Sequence, residues 1–576
     1  MKIARIVLLC ALVVVGLTTS TAKGGTEVTP ACGDTLGPGG VFILEIDLLG
    51  CATDPALTLD GATLDMDGHS VTGDGSSGFN CIELTGAGSV LANGKVAECE
   101  DGVAVAGSGG HKVFDLAAED NNDDGIDLDS NANIVFRITS SSNDNDGFTV
   151  DGDDNLLFGN TAIANGEDDA GFGVAGITNR FWKNTAKGQA NGYRLDPTST
   201  ANILVANSSK NAGEDGFSVG GDNNFLFENT AATAGDSGIE ILGLDASIGG
   251  NIVKKNGDGV VVTAAAAGNR VLGNTSKDNT GTDLVTDNAA CSANDWEGNK
   301  YGTRNDDCVD PSVTAVAAPS DLDCGDTITG GNVFLTKSIG PCSVYPALTL
   351  TGGARLDLKK RSVKGDGDGG PCIQLDDAGA TLARGTVSGC ESGVTVAGTG
   401  QHYVRGVKMK GNGDYGIRVE SDNNEIFGVK ASKNPLGVDV IGDSNDLWRN
   451  KSTKDNKGFV VDSSSISGVY AKNTAVRSKS SGFEIRGDSN AFLVNKAVDH
   501  KEQGFDVTPV GNENGVLGNQ ARDNRDDGIL IAGSDNVAVG NKALGNKIDL
   551  HDVDVACVSN LWYGNKFKKR DPLCIT

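Results

Sequence analysis

Glu484 and Asp506 stand one repeat apart in a chain whose glycines recur at a steady interval, as at Gly437, Gly458, Gly482 and Gly504. Two carboxyls held on neighbouring repeats push their pKa values apart, which is the division of labour that acid–base catalysis needs. A separation of about 5 Å, close to the distance between paired strands, would also suit a retaining glycosidase. Arg486 follows shortly after Glu484, and Arg418 and Asp439 form another pair one repeat apart. These three are the candidates for substrate binding. The plainer alternatives are a solvated carboxylate pair and a surface ion pair.

A second group is acidic alone. Asp101, Asp124, Asp146, Asp215 and Asp258 each precede a repeat glycine, with Asp169 beside the same phase. Asp before Gly is a common turn pair. Carboxylates stacked a coil apart also repel by about 0.9 kcal/mol per pair in water, so such a column would welcome a divalent cation. Calcium, with six to eight oxygen ligands, is the expected ion, and Asp124, Asp146, Asp169 and Asp215 are its candidate ligands. No Ser-His-Asp or zinc-ligand spacing stands out, and the five histidines leave little to build one from. His111 and His402 occupy matching places, where a hydrogen-bonding cap is the simpler role.

The element that must position these groups is clearest in the stretch from Asp146 to Thr161, DGFTVDGDDNLLFGNT. Gly147-Phe148-Thr149-Val150 alternates as a half-buried strand, and a second short strand runs from Asn155 towards Asn160. The repeat glycines fall at Gly102, Gly125, Gly147, Gly171, Gly192, Gly216, Gly238 and Gly259. Asparagine pairs of the form N-x4-N keep time with them, from Asn155 and Asn160 to Asn269 and Asn274. This period, with short strands, Gly/Asn/Asp turns and no helical pattern, predicts a β-solenoid whose coils bury their apolar positions only by stacking. Stacked asparagines in such turns bond along the stack, so the sequons at Asn207, Asn274 and Asn450 are poor glycosylation sites.

Cysteines reveal a duplication. Cys32, Cys51, Cys81, Cys99, Cys291 and Cys308 are repeated as Cys324, Cys342, Cys372, Cys390, Cys557 and Cys574, at offsets of 292, 291, 291, 291, 266 and 266. The fall in offset after the fourth pair is close to one coil, and Gly393, Gly416, Gly437, Gly458, Gly482, Gly504 and Gly528 count one repeat fewer than the first half. Losing a whole coil is what a solenoid tolerates. Within each half the cysteines fall into local pairs less than one coil apart along the chain. This spacing predicts the disulfides Cys32–Cys51, Cys81–Cys99, Cys291–Cys308, Cys324–Cys342, Cys372–Cys390 and Cys557–Cys574.

Residues 1–23 read as a secretory signal peptide, with Lys2 and Arg5 before the apolar run Ile6 to Leu17. That run is too short to span a bilayer, and no later segment is apolar enough, so an exported, extracellular or periplasmic protein with oxidised cysteines is expected. The predicted organisation is a first β-helix at 24–310, a linker at 311–322 and a second β-helix at 323–576. Residues 24–310 carry 14 Lys and Arg against 45 Asp and Glu, whereas residues 311–576 carry 31 against 32. So acidic an exported chain is a poor nucleic-acid binder.

The lead-in LTLDGATLDMDGHSVTGDG (57–75), the DGI-x-L and N-x4-N coils and the closing C-x2-N-x-W-x-G-N together resemble the right-handed parallel β-helix proteins of the pectin-lyase-like and NosD-like group. The resemblance covers about Cys32 to Cys574 and implies an all-β fold in two tandem copies. It also implies faces suited to an extended extracellular polysaccharide, and lyase, hydrolase or epimerase chemistry if the chain is active. Epimerases of this fold carry Asp-Pro-His-Glu, and here Asp196-Pro197 is followed by Thr198. Of the polygalacturonase motifs only Gly152-Asp153-Asp154 has a counterpart. The alternatives are a non-catalytic, calcium-binding structural or adhesive rod and a NosD-like metal-loading role. The latter is weakened by three methionines and the lack of His clusters.

Overall fold

The computed structural model describes residues 26–575 apart from 76–77, 167–168, 289–292, 307–308, 310–317, 368, 556–558 and 574. The chain divides into two compact units between Ala315 and Val316. The signal segment, most of the linker and the expected pairs Cys291–Cys308 and Cys557–Cys574 lie outside the described residues.

Both units are all-β parallel solenoids. Each coil supplies an opening strand such as Phe148–Val150, a middle strand such as Leu156–Phe158 and a closing strand such as Thr161–Ile163. The opening strands of each unit form a twelve-stranded parallel sheet. In the second unit the middle and closing strands form separate sheets of 12 and 10 strands. In the first they join as one 22-stranded sheet, because the long strands Val90–Ala97 and Lys112–Glu119 run through both layers.

The core follows from the period. Strand residues alternate between the interior and the outer face, so like stacks on like one coil above. Phe148, Phe172, Tyr193 and Phe217 form one column with ring centroids 4.7, 4.8 and 4.6 Å apart, and Phe459, Phe483 and Phe505 another at 4.7 Å per step. Burying each such ring contributes about 1.5–3 kcal/mol. Trp296 and Trp562 are buried in the last coils, as expected of residues that close an apolar core.

The strand glycines are not turn positions. At Gly216 a Cβ would meet the Gly238 carbonyl oxygen at 2.5 Å, and at Gly437 the Gly458 oxygen at 2.6 Å. Glycine is needed there for close approach between coils.

Asparagines bind the coils together. The backbone N–H of Asn160 donates to the side-chain oxygen of Asn184 (2.9 Å), and those of Asn184 and Asn207 to Asn207 and Asn229 (2.8 Å each). Their carboxamide nitrogens donate in turn to carbonyl oxygens of Val135, Leu157 and Phe181, so these buried amides are satisfied. The sequon residues Asn207, Asn274 and Asn450 are fully buried in this ladder. His111 and His402 cap equivalent ladders. Each is buried, takes a backbone N–H on Nδ1, from Ser89 and Ala380 respectively, and places Nε2 on a carbonyl, Ala106 or Ala397. The disulfides Cys32–Cys51, Cys81–Cys99, Cys324–Cys342 and Cys372–Cys390 are formed, with Cα–Cα distances of 5.4 to 5.5 Å.

Candidate functional site

Every opening strand has one outward side chain, and these side chains stack in register. In the second unit the column runs Thr395, Arg418, Asp439, Val460, Glu484, Asp506, Leu530 and His551. Glu484 and Asp506 are thus direct neighbours, as are Arg418 and Asp439. Outward does not mean solvated here. Glu484 and Asp439 are each only 7% exposed, because long side chains of adjoining coils lie over them.

Glu484 is held by two cations. Lys457 Nζ is 2.5 Å from its Oε2, and Arg486 donates from Nε (2.8 Å) and Nη2 to its Oε1. Burial acts to raise the Glu484 pKa, but the hydrogen bonds and charges of Lys457 and Arg486 outweigh it and hold the carboxyl below its usual range. Burial, and then the charge of Glu484, push Asp506 up to about 6. The two neighbours therefore ionise far apart, one anionic and the other able to keep a proton near pH 6. Asp439 is likewise lifted by burial to about 6, against the opposing pull of Arg418. Arg418 spreads its charge over Glu420 (3.2 Å), Asp439 (3.6 Å) and the face of Tyr415, 4.9 Å from the ring centroid. Arg486 also reaches Asp462 at 3.7 Å.

Lys457 escaped the sequence reading because it lies on the preceding coil, just before that coil's strand glycine. A side chain at this place reaches diagonally to the outward residue one coil on. Asp124 accepts the Thr149 hydroxyl at 2.5 Å in the same way, and Asp527 takes His551 Nδ1 at 2.9 Å. The sequence signal is a polar pre-glycine residue with a polar partner at the outward place of the following coil. The Asp527–His551 pair was also missed, and it extends the face past Leu530.

The acidic phase of the first unit has a different use. The Asp124 N–H donates to Asp101 Oδ1 (3.1 Å), that of Asp146 to Asp124 Oδ1 (2.9 Å), and that of Ala170 to Asp146 Oδ1 (2.6 Å). Further on, Asp215 donates to Asn191 Oδ1 and Ser237 to Asp215 Oδ1. Each side chain thus receives the backbone N–H of the coil above, and the second oxygen of Asp146 faces Arg194 at 3.4 Å. Asp169 is not in this column. Ala170 holds that place, and with Asn191 it separates Asp146 from Asp215. The four acids expected to share calcium are therefore not one column, and Asp124, Asp146 and Asp215 each turn an oxygen to a backbone N–H, with the Thr149 hydroxyl also on Asp124. Among the described residues no group of three or more His, Cys, Asp or Glu stands where it could hold a metal ion. Burial raises Asp101 and Asp146 to about 6, Asp127 and Asp215 to about 7 and Asp124 to about 8.

No helix among the described residues is long and apolar enough to cross a membrane. None of the curated proteins matches the sequence. Among solved structures, the Dettilon tailspike protein is similar at 15% identity and a TM-score of 0.30, over 64% of this chain and 60% of its own. The chain thus spans three fifths of the tailspike's length. The PL6 family alginate lyase AlyGC is similar at 10% identity and a TM-score of 0.30, over 92% of this chain and 98% of its own. The A-module of the Azotobacter vinelandii mannuronan C-5 epimerase AlgE6 is similar at 13% identity and a TM-score of 0.26, over 75% and 91%. Residues 371–548 match the family model described as a right handed beta helix region. That match covers under a third of the chain, and the described coils outside it repeat the same parallel arrangement, so the fold is a parallel β-helix in both units.

Proposed function

We propose that the protein binds an extracellular polysaccharide along the opening-strand face of its second unit and modifies it there. The observation that carries this reading is the stacking of Glu484 and Asp506 on consecutive coils, with Lys457 and Arg486 both on Glu484, an arrangement that favours an anionic Glu484 beside a raised Asp506. Asp506, protonated near pH 6, is the general acid that protonates the leaving glycosidic oxygen. Glu484, kept anionic by Lys457 and Arg486, stabilises positive charge developing on the sugar ring until a solvent water bonds to the anomeric carbon and gives its proton to the Asp506 carboxylate. Arg418 supplies a cation further along the column, where it would fix a sugar's oxygen or carboxylate.

The test is proton NMR of uronic-acid and neutral polysaccharides incubated with the protein, since it detects cleaved, unsaturated and epimerised products alike. New product signals that fade above pH 6 and vanish in Asp506→Asn and Glu484→Gln are expected. Unchanged spectra across the panel would overturn the catalytic reading. A non-catalytic binding rod is the second reading, favoured by the capture of both Glu484 oxygens by cations.

A further inference from the structure

The closing strands of the second unit carry a charge pattern that the solenoid does not require. From Thr386–Ser388 to Lys542–Leu544 they read TVS, KMK, KAS, KST, TAV, KAV, QAR and KAL, with no aspartate or glutamate. Their first residues stack in register as Thr386, Lys408, Lys430, Lys451, Thr474, Lys496, Gln520 and Lys542, and Lys542 bridges to Lys566. These five strand lysines and Lys410 beside them are exposed. Among the described residues none of the six is in an ion pair, and only Arg522 on this sheet is so engaged, with Asp523 at 3.6 Å.

The first unit shows what the fold accepts in this column. There the residues in register are Thr139, Thr161, Thr185, Ser208, Thr230, Ile252 and Thr275, a run of seven coils without a charge, with Lys95, paired to Glu119, and Lys300 only towards its ends. Along that run four lysines, Lys187, Lys210, Lys254 and Lys277, do lie on the closing strands, but at the third residue. Uncharged residues thus suffice at this place, and stacked lysines add mutual repulsion instead. Lys408, Lys410, Lys430 and Lys451, with Thr386 and Thr453, also line a surface hollow of about 490 Å³.

We infer that this lysine column is a docking track for a linear acidic polysaccharide bearing a carboxylate or sulfate on its sugars. The track deepens the reading of the second unit as polysaccharide-directed by naming the polymer class. It lies on a different sheet from Glu484 and Asp506. Its rungs are about 4.8 Å apart, the spacing of paired strands, close to the length of one linked hexuronate, so successive acid groups meet successive lysines. The hydroxyls of Thr386, Thr453 and Thr474 give neutral hydrogen-bond partners between the cations. No aromatic residue stands in these strands to stack a nucleobase, which favours a glycan over single-stranded nucleic acid.

The test is equilibrium binding of the full chain to polygalacturonate, a sulfated glycan, a neutral dextran and oligodeoxythymidylate, at low and high salt. Wild type is expected to bind one or both acidic glycans in a salt-sensitive way and to leave dextran alone. The triple variant Lys408→Thr/Lys430→Thr/Lys451→Thr, which installs the residue the first unit carries here, should bind about tenfold or more weakly and with a shallower salt dependence. A second triple variant to glutamine should do the same. Lys479→Thr/Lys501→Thr, on exposed lysines elsewhere in the unit, should bind as wild type. Unaltered affinity in both triple variants, or no acidic glycan bound by wild type, would overturn the proposal. Preference for oligodeoxythymidylate would assign the track to nucleic acid instead. Low-salt self-association in ultracentrifugation that the triple variants abolish would assign it to a second copy of the chain. Binding is read without turnover, so an Asp506→Asn variant that binds but forms no product separates the track from the catalytic reading.

Discussion

At the residue before the strand glycine, the first unit stacks Asp101, Asp124 and Asp146, whereas the second carries Ser392, Tyr415, Leu436, Lys457, Ser481 and Gln503 before returning to Asp527. Coil type, glycine packing, asparagine ladders and aromatic columns recur in the two units, apart from the long strands that join two layers of the first. Otherwise the difference is confined to side chains that the scaffold leaves free. At this one place the first unit buries carboxyls whose pKa values are raised, while the second places the lysine that keeps Glu484 ionised. A solenoid separates what holds it together from what it presents, so one copy can drift in charge without touching the other's fold.

Substitution of the strand glycine tests the shared half of this comparison. Gly216→Val and Gly437→Val should each cost about 3 kcal/mol by overpacking against the next coil, measured by denaturant unfolding with hydrogen exchange assigning the loss to its unit. A large cost in only one unit would break the equivalence. Lys457→Met tests the divergent half. It strips a cation from a buried carboxylate and should cost about 2 to 3 kcal/mol at pH 7 while raising the Glu484 pKa. No comparable loss is expected from Lys479→Met.

The acidic column gives the opposite sign. Asp101, Asp124, Asp127, Asp146 and Asp215 have folded pKa values of about 6 to 8, above their unfolded values, so the folded state holds more protons. First-unit stability should therefore be greatest at low pH and fall as pH rises from about 4 towards 8. Asp124→Asn, which retains an acceptor oxygen, should recover on the order of 1 to 2 kcal/mol at pH 8 and little at pH 5. A first unit that grows more stable towards pH 8 would contradict the burial described here. The smallest effect expected is that of calcium. With the column oxygens taken by N–H and O–H donors, calcium in place of a chelator should shift melting by about 1 °C or less, and a large rise would restore the metal-binding reading.

Much of this was legible in the chain. The glycine period, the N-x4-N pairs and the matched cysteines carry direct physical meanings, since each reports a contact between equivalent places on successive coils. The apolar columns followed from strand alternation. Less legible was anything that crosses phases. Alternation marks Glu484 and Asp439 as outward, and only the packed coils show that Lys457 and Arg486 cover the one and Arg418 the other. Asp169 was placed with the acidic column because a repeat glycine follows close behind it, whereas the column is set by register and admits Ala170. The lysine track was present in the sequence at one-coil intervals, hidden by its lack of any local motif.

The asparagine ladder gives the coil stack a direction as well as strength. Along Asn160, Asn184, Asn207 and Asn229 each carboxamide oxygen from Asn184 onward receives an N–H from the coil before, and each carboxamide nitrogen reaches back to a carbonyl of the coil before, so successive rungs present like sockets. Length along the axis is therefore counted in whole coils. The second half, one coil shorter than the first, is the same ruler with one graduation removed, and any residue added or lost in units of a full turn moves the surface charges along the axis without rotating them out of line.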